Sequence, residues 1–374
     1  MEIYHFNSNH LYNAFYDEML NHLELNGIHS KVFSPVNGSI DFVIDRKENV
    51  DAPLLFRKND RFFYHYKQKK IYNYVKNEIV NKSMSMVHAH TLFTDGLSAY
   101  KLFSEFNIPY VVSVRNTDIN VFFKYMVHLR KLGVKILLNS KKIILLSETY
   151  KNILLEKYIP KKYRKAINEK IMIIPNAIDN FWHENKFFAQ RKINDKKIKF
   201  LYVGNINTNK NVLSSVEALS KLSNIKVLFT VVGKIQDQNV YKKMNKYSFV
   251  EYIAPKNKDE LINIYRNHDI FIMPSKTETF GLVYTEAISQ GLPIIYSKNQ
   301  GFDGQFLEGE VGYAVEATSI EDIIDKVEMI ISNYDVLTNN LPAKIERYNW
   351  TSISRTLSDL YFETLHSHRN TNKS

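Results

Sequence analysis

The chain has 374 residues, of which 44% are hydrophobic and 24% charged. That is too long for one compact core and too apolar for a disordered chain, so two domains are expected. No apolar run reaches the roughly 18 residues of a membrane span, the opening MEIYHFNSNH does not read as a secretion signal, and the absence of cysteine excludes a disulfide scaffold, thiolate catalysis and cysteine-ligated zinc. The net charge of +11 is uneven: residues 1–180 hold 26 Lys/Arg against 17 Asp/Glu, and residues 181–374 hold 24 against 22. A basic first half predicts an anionic partner there, whether a membrane surface, a phosphorylated substrate or nucleic acid.

Along the first half, short β-branched or aromatic runs at 2–6, 31–34, 86–90, 110–114, 143–146 and 171–174 predict strands. Amphipathic stretches at 11–25, 61–80, 94–106 and 148–157 predict helices between them. The alternation restarts with strands at 200–203, 227–232, 249–252, 270–273 and 293–296, and helices at 212–222, 258–266, 283–290 and 319–331. This is the pattern of βα units around parallel sheets. The polar run Arg191-Lys-Ile-Asn-Asp-Lys-Lys-Ile-Lys199 reads as a linker, which divides the chain into a first domain at 1–180, a linker at 181–198 and a second domain at 199–350. Two doubly wound domains joined there are expected to face each other across a cleft at the carboxyl ends of their strands.

The most informative stretch is Ile270-Phe-Ile-Met-Pro-Ser-Lys-Thr-Glu278-Thr-Phe-Gly281-Leu-Val-Tyr-Thr-Glu286. A buried strand ends at Pro274-Ser275, and a helix starts near Leu282 and stops at Gly291. Gly281 lets the backbone approach a ligand, and the N–H groups that open the helix suit a diphosphate. Seven residues separate Glu278 from Glu286, so one carboxylate lies in the loop and the other about a turn into the helix. Carboxylates are poor phosphate ligands but good acceptors for sugar hydroxyls.

This stretch resembles the glutamate–seven–glutamate signature of the retaining family 4 glycosyltransferases (glycosyl transferases group 1), which have the GT-B fold of two Rossmann-like domains. Other segments follow in the family's order: Pro175-Asn-Ala-Ile-Asp179, Tyr202-Val-Gly204-Asn205 through Lys210-Asn211, Val231-Val-Gly233-Lys234, and Arg347-Tyr-Asn-Trp350 leading into a final helix at about 351–366 that packs back on the first domain. The resemblance implies that Glu278 contacts the donor sugar and Glu286 holds the ribose hydroxyls. It implies that the backbone at Thr279, Phe280, Gly281 and Leu282 meets the diphosphate and sugar, that Gly204, Gly233 and Lys234 line the donor pocket, and that Lys210 neutralises the leaving diphosphate. Asn205 stands where the family carries an arginine, and Arg115 where it carries the histidine that contacts the transferred sugar. An arginine at 115 can reach the diphosphate and replace part of the charge missing at 205. Asn9, His10 and Asp118 are the residues expected to line the acceptor side, with Asp118 expected to orient Arg115 or cap the following helix rather than to act as a base. Ser147-Glu148 resembles a family pair near the cleft, with helix capping as an equal alternative.

His88-Ala-His90 places two imidazoles on one strand face, but a third ligand is not evident nearby and no Asp-x-Asp occurs, so no metal and no cofactor beyond the nucleotide-sugar co-substrate are expected. The resemblance implies a retaining, metal-independent transfer from a nucleotide sugar, with uracil favoured by family frequency, to a hydroxyl of a glycan or lipid-linked acceptor. Surface polysaccharide or cell-wall glycan synthesis in a bacterium is the implied setting. Basic, aromatic stretches at 64–82 and 122–138 suit either peripheral contact with an anionic membrane from the cytoplasmic side or ordinary amphipathic helices packed on the sheet. Two other readings are a nucleotide-sugar 2-epimerase of the same fold, against which the Glu278/Glu286 context argues, and a basic nucleic-acid-binding module with a vestigial cleft, in which Asn205 and Arg115 are lost catalytic positions.

Overall fold

The computed structural model describes residues 1–37, 48–80, 84–189, 193 and 197–371. The expected linker run at 191–199 and the end of the 64–82 stretch therefore fall largely or partly outside the described residues. The chain forms two compact units: Met1–Leu146, Tyr150–Ile174 and Trp350–Ser374 make the first, and Ser147–Thr149 with Pro175–Asn349 the second. The Pro175–Asp179 segment thus goes with the second unit.

In the first unit, strands β1 (Glu2–Phe6), β2 (His29–Phe33), β3 (Val36–Asn37), β4 (Val50–Asp51), β5 (Leu54–Phe56), β6 (Met86–Ala89), β7 (Tyr110–Ser113), β8 (Lys142–Leu145) and β9 (Ile171–Ile173) follow in chain order. Seven of them form one sheet in the order β4-β2-β1-β6-β7-β8-β9, and β3 pairs with β5. All pairings are parallel. The central strands β6 and β7 are buried at every residue, as strands covered on both faces must be. The chain order reverses between β1 and β6, so the loops 7–10 and 90–95 flank the crevice where such sheets bind ligands.

The helix expected from 11 begins at Phe15, because residues 10–12 close a 3-10 turn and the Asn13 side chain accepts the Phe15 N–H at 3.0 Å. The stretch 61–80 is an α-helix only over Tyr64–Tyr74 and continues as a π-turn over Val75–Ile79. After Arg115 the chain makes a π-turn (Asp118–Phe123), a 3-10 turn (Val127–Leu129) and an α-helix (Arg130–Asn139), not one continuous helix. The final helix, Trp350–Thr371, lies on the first unit. Its Trp350 stacks on His22 at 5.5 Å and donates from Nε1 to Glu18 at 2.9 Å, and its Tyr361 hydroxyl meets His88 Nδ1 at 2.7 Å.

In the second unit, β10 (Lys197–Val203), β11 (Lys226–Val232), β12 (Val250–Ile253), β13 (Ile270–Ile272), β14 (Ile294–Ser297) and β15 (Gly312–Val315) form a parallel sheet in the order β12-β11-β10-β13-β14-β15. Here the order reverses between β10 and β13, so the loops following those two strands occupy the switch point. Strand β15 escaped the sequence reading because it is four residues long and opens on a glycine. Helix Tyr334–Ile345 also escaped it. Asn339, Asn340 and Pro342 have poor helix propensity, and the helix exists because Tyr334, Leu337, Leu341 and Ile345 bury one face.

Candidate active site

The switch point of the second unit assembles from three glycine-hinged loops. At Gly233 φ is +154°, and a Cβ there would lie 1.9 Å from the Gly204 carbonyl oxygen, so the turns after β10 and β11 meet backbone to backbone. Asn205 and Lys234, on the rims of these turns, are exposed. The loop from 205 to 211 is then tied to the loop after β13. Asn209 Nδ2 donates to the Thr277 carbonyl at 3.0 Å, and Thr277 Oγ1 donates back to Asn209 Oδ1 at 2.5 Å. The Lys276 N–H donates to the Asn209 carbonyl at 2.8 Å, and Asn211, in the left-handed region at φ +57°, donates its amide to the Pro274 carbonyl at 2.9 Å.

This stitching delivers Lys210 to Glu278. The ammonium lies 2.5 Å from Glu278 Oε2, with side chains 23% and 10% exposed, so the pair is poorly solvated and electrostatically strong. Glu278 is further held by the Thr279 N–H at 3.1 Å, and its own N–H donates to Gln300 Oε1 at 3.0 Å. The neighbouring Gly301 lies so close that a Cβ would meet the Thr279 carbonyl oxygen at 1.6 Å. Gln300 and Gly301 were not singled out from sequence, although the turn-forming Asn-Gln-Gly at 299–301 was the available signal.

Beyond Glu278 the chain turns at Gly281, whose φ is +78° and whose Cβ position is blocked by the Tyr284 ring at 2.4 Å. Helix Leu282–Ser289 starts there with no side-chain cap, leaving the first-turn N–H groups oriented for an anion. Phe280 is fully buried against Phe302 and Tyr348, so only its backbone is available to a ligand; Thr279 is exposed. Glu286 projects from this helix and accepts the Tyr265 hydroxyl at 3.1 Å. Burial is the main cause that pushes its carboxyl up to about 7; the Tyr265 hydrogen bond and Lys258 pull it down, and Asp179 pushes it up. Asp179, the last residue of Pro175-Asn-Ala-Ile-Asp179, caps helix Asn180–Glu184 through the Phe181 N–H at 2.9 Å and forms an ion pair with Lys258. The two glutamates are therefore held by different partners, Glu278 by Lys210 and Glu286 by Tyr265. Beside the stitched loop is a pocket of about 300 Å³ lined by Asn207, Thr208, Asn211, Asp237, Lys243 and Lys276.

The first unit presents its own set at the ends of β1, β6 and β7. Asn9 is exposed and His10 is buried, its Nε2 3.6 Å from Asp17. Arg115 is half-buried and donates from Nε to the His90 carbonyl at 3.3 Å. Asp118 lies where the reading that it orients Arg115 would put it. It is buried, and its carboxylate accepts the N–H groups of Leu92, Phe93 and Arg115 at 3.0, 3.1 and 2.9 Å, so it positions the loops that carry Arg115. Burial raises its carboxyl to about 6 against those hydrogen bonds. Asp95, not anticipated from sequence, is buried likewise, accepts Ser8 Oγ at 2.5 Å and Thr91 Oγ1 at 2.9 Å, and is raised to about 6 by burial. Ser147 and Glu148 go with the second unit; Ser147 is buried, and Glu148 sits exposed in the first turn of helix Glu148–Ile153.

The missing third imidazole beside His88 and His90 is His5, which the β1–β6 register sets opposite His88. The three rings place ligand-type nitrogens within 4.8 Å of one another. His88 uses both nitrogens on Tyr361 and Ser113, at 2.7 and 2.9 Å, and His5 Nδ1 lies 3.0 Å from His90 Nε2. Burial drives all three towards the neutral form, His5 to about 3 and the other two well below the ordinary range. A dication would require His88 to give up one of its present partners and would sit near the Arg115 charge, whereas His5 Nε2 and His90 Nδ1 are buried with no hydrogen-bond partner.

Residues 183–349 match the family described as glycosyl transferases group 1. An uncharacterized glycosyltransferase of Methanocaldococcus jannaschii is 23% identical over 311 residues, covering 78% of this chain and 79% of that protein. Among solved structures, the apo form of the lipopolysaccharide outer core galactosyltransferase WaaB superposes with a TM-score of 0.73 at 16% identity, over 97% of this chain and 99% of that one. Anabaena HepE in complex with UDP superposes with a TM-score of 0.72 at 12% identity, over 97% and 99%.

Proposed function

We propose that this chain, a member of the glycosyl transferases group 1 with the GT-B fold, transfers a sugar from UDP to a hydroxyl of a glycan or lipid-linked acceptor, with retention at the anomeric carbon and without a metal ion. The observation that carries the reading is the Lys210–Glu278 pair beside the uncapped start of helix Leu282–Ser289. In this reading the helix-start N–H groups and the Lys210 ammonium offset the charge that develops on the diphosphate as it leaves. Glu278 accepts hydroxyls of the sugar, and Glu286, held by Tyr265, accepts those of the ribose. Uracil is supported by the fold's likeness to the UDP complex of HepE, and synthesis of a bacterial surface polysaccharide by its likeness to WaaB. The same reading has the protein working at the cytoplasmic face of the cell membrane as a peripheral protein.

The test is a melting-temperature panel with UDP, GDP and ADP and their sugars, run on wild type and Glu286→Ala. A ligand that binds only the folded state raises the melting temperature by mass action, so no acceptor need be known. Stabilisation by uridine nucleotides, unchanged by a chelator and weakened in the variant, is the expected result. Indifference to every nucleotide in a folded sample would remove the donor-site assignment. With a competent acceptor in hand, the anomeric configuration of the product distinguishes retention from inversion.

A further inference from the structure

Two segments of the first unit combine basic charge with a complete lack of acidic residues. Residues 61–77 contain five Lys/Arg and no Asp or Glu, and residues 119–147 contain six and none. The fold sets them side by side. The Tyr64 ring meets Phe122 edge-on at 6.1 Å, Phe122 stacks on Phe93 at 4.8 Å, and the Tyr64 hydroxyl donates to the Phe93 carbonyl at 2.8 Å. Next to Tyr64 in the chain, Phe62, Phe63 and Tyr66 are exposed by 71, 67 and 54%, and next to Phe122, Val121, Tyr125 and Val127 are exposed by 41, 67 and 57%. Single exposed apolar residues are ordinary on a protein surface, whereas six on two segments in contact mark a surface that calls for a partner. Lys124 lies over the Tyr125 ring at 5.1 Å and Lys70 over Tyr66 at 4.3 Å, so the cations sit at the base of the apolar tips. Among the described acidic groups around the seam, Asp60 is paired with Lys70 at 2.8 Å and Glu105 with Lys76 at 2.8 Å, while Asp95 and Asp118 are buried.

We propose that this face docks on an anionic lipid bilayer, with Phe62, Phe63 and Tyr125 entering the boundary between headgroups and acyl chains while the surrounding lysines, Lys69 and Lys124 among them, meet the headgroup phosphates. Charge complementarity selects an anionic occupant, and the apolar tips select a lipid over a polyanion. Val121 and Val127 have no π-face on which a nucleobase could stack, whereas aromatic and aliphatic tips beside exposed lysines suit the bilayer interface. The proposal gives a surface to the peripheral location inferred above and is independent of the transfer chemistry, since the donor residues of the second unit take no part in it.

The experiment is co-sedimentation of the full chain with vesicles of phosphatidylcholine alone or mixed equally with phosphatidylglycerol, at low and high salt. Wild type is expected to sediment with the mixed vesicles and not with the neutral ones, less strongly as salt rises. Lys69→Ala/Lys124→Ala is expected to weaken binding roughly 30-fold, the effect of two lysines at headgroup level. Phe62→Ser/Phe63→Ser is expected to weaken it at least about tenfold and to leave a remainder that salt abolishes. Both variants alter exposed side chains, and an unchanged melting temperature and an unchanged response to the nucleotide sugar verify that the fold and donor site are intact. Failure to bind mixed vesicles, equal binding to neutral ones, full binding by the phenylalanine variant, or binding to heparin in place of vesicles would each overturn the proposal. None of those outcomes would touch the nucleotide response on which the transfer reading stands.

Discussion

Replacing Glu286 by glutamine probes the donor site through two independent pH dependences. The carboxyl rises from 4.5 to about 7 on folding because burial disfavours its charge. A raised carboxylate contributes stability that is complete below the unfolded value and is lost as pH climbs through the folded one. Between about pH 5 and pH 8.5 this linkage amounts to about 2.5 kcal/mol, an upper figure because the residue keeps part of its surface in contact with solvent. Glu286→Gln cannot ionise, so its stability relative to wild type should rise by up to that amount over the same window. The gain would read as several degrees in melting temperature for a unit of this size. Ligand binding has the opposite sense: an ionised carboxylate is the better acceptor for two ribose hydroxyls. If only that form binds, wild-type affinity for a nucleotide sugar should fall about 25-fold from pH 7.5 to pH 5.5. The variant should bind weakly and without this dependence. A nucleotide sugar is the right probe, because the terminal phosphate of free UDP titrates in the same range. Urea denaturation and calorimetric titration across pH supply the two readouts. Parallel stability curves for the two proteins, or a pH-independent wild-type affinity, would refute the buried, ribose-binding role of Glu286.

Lys210→Ala should lower turnover by about 10²–10³-fold if the ammonium stabilises the leaving diphosphate, with Lys210→Arg recovering part of it; initial rates at saturating donor would show this, and an unchanged rate in the alanine variant would exclude the role. Gly233→Ala should abolish donor binding and lower the melting temperature, because the added Cβ meets the Gly204 carbonyl at 1.9 Å and cannot be accommodated without moving one of the two turns; a calorimetric titration and a thermal melt of the variant test both halves. The His5 imidazole is held neutral, its value lowered by burial to about 3, so its contribution to stability is present above the unfolded value near 6.5 and is lost as pH falls below it. Relative to wild type, His5→Gln should therefore gain about 1.4 kcal/mol per pH unit between about pH 6 and pH 4 in urea denaturation; parallel curves would mean that the imidazole is solvated or charged in the native protein.

Much of the fold was legible because parallel strands announce themselves as short, continuous apolar runs, and eleven of the strands were placed within a few residues of their observed bounds. Among the elements that escaped, two owe their existence to burial supplied from elsewhere: strand β15, which opens on a glycine, and Tyr334–Ile345, a helix in spite of its asparagines and proline. The same division runs through the site. Gly281 and the helix that follows it were readable, since a glycine before an amphipathic run is a local matter of backbone freedom and orphan N–H groups. The phenylalanine beside it was readable as a motif member but not as a core residue, a distinction that only the packing of Phe302 and Tyr348 makes.

By itself, then, the order of residues determined the α/β architecture, the glycine and helix start that follow β13, and the basic bias of the first half, while resemblance to a family singled out Glu278, Glu286 and Lys210. The first of these depend on spacing and composition along the chain. Tertiary structure alone decided what each of those groups faces. It put Lys210 on Glu278 across 68 residues and gave Tyr265 to Glu286. It withdrew Asp118 from solvent into three backbone N–H groups, and set His5 opposite His88 by strand register. Charge state and hydrogen-bond partner are properties of an environment, and a long-range contact brings that environment together only when the sheet closes.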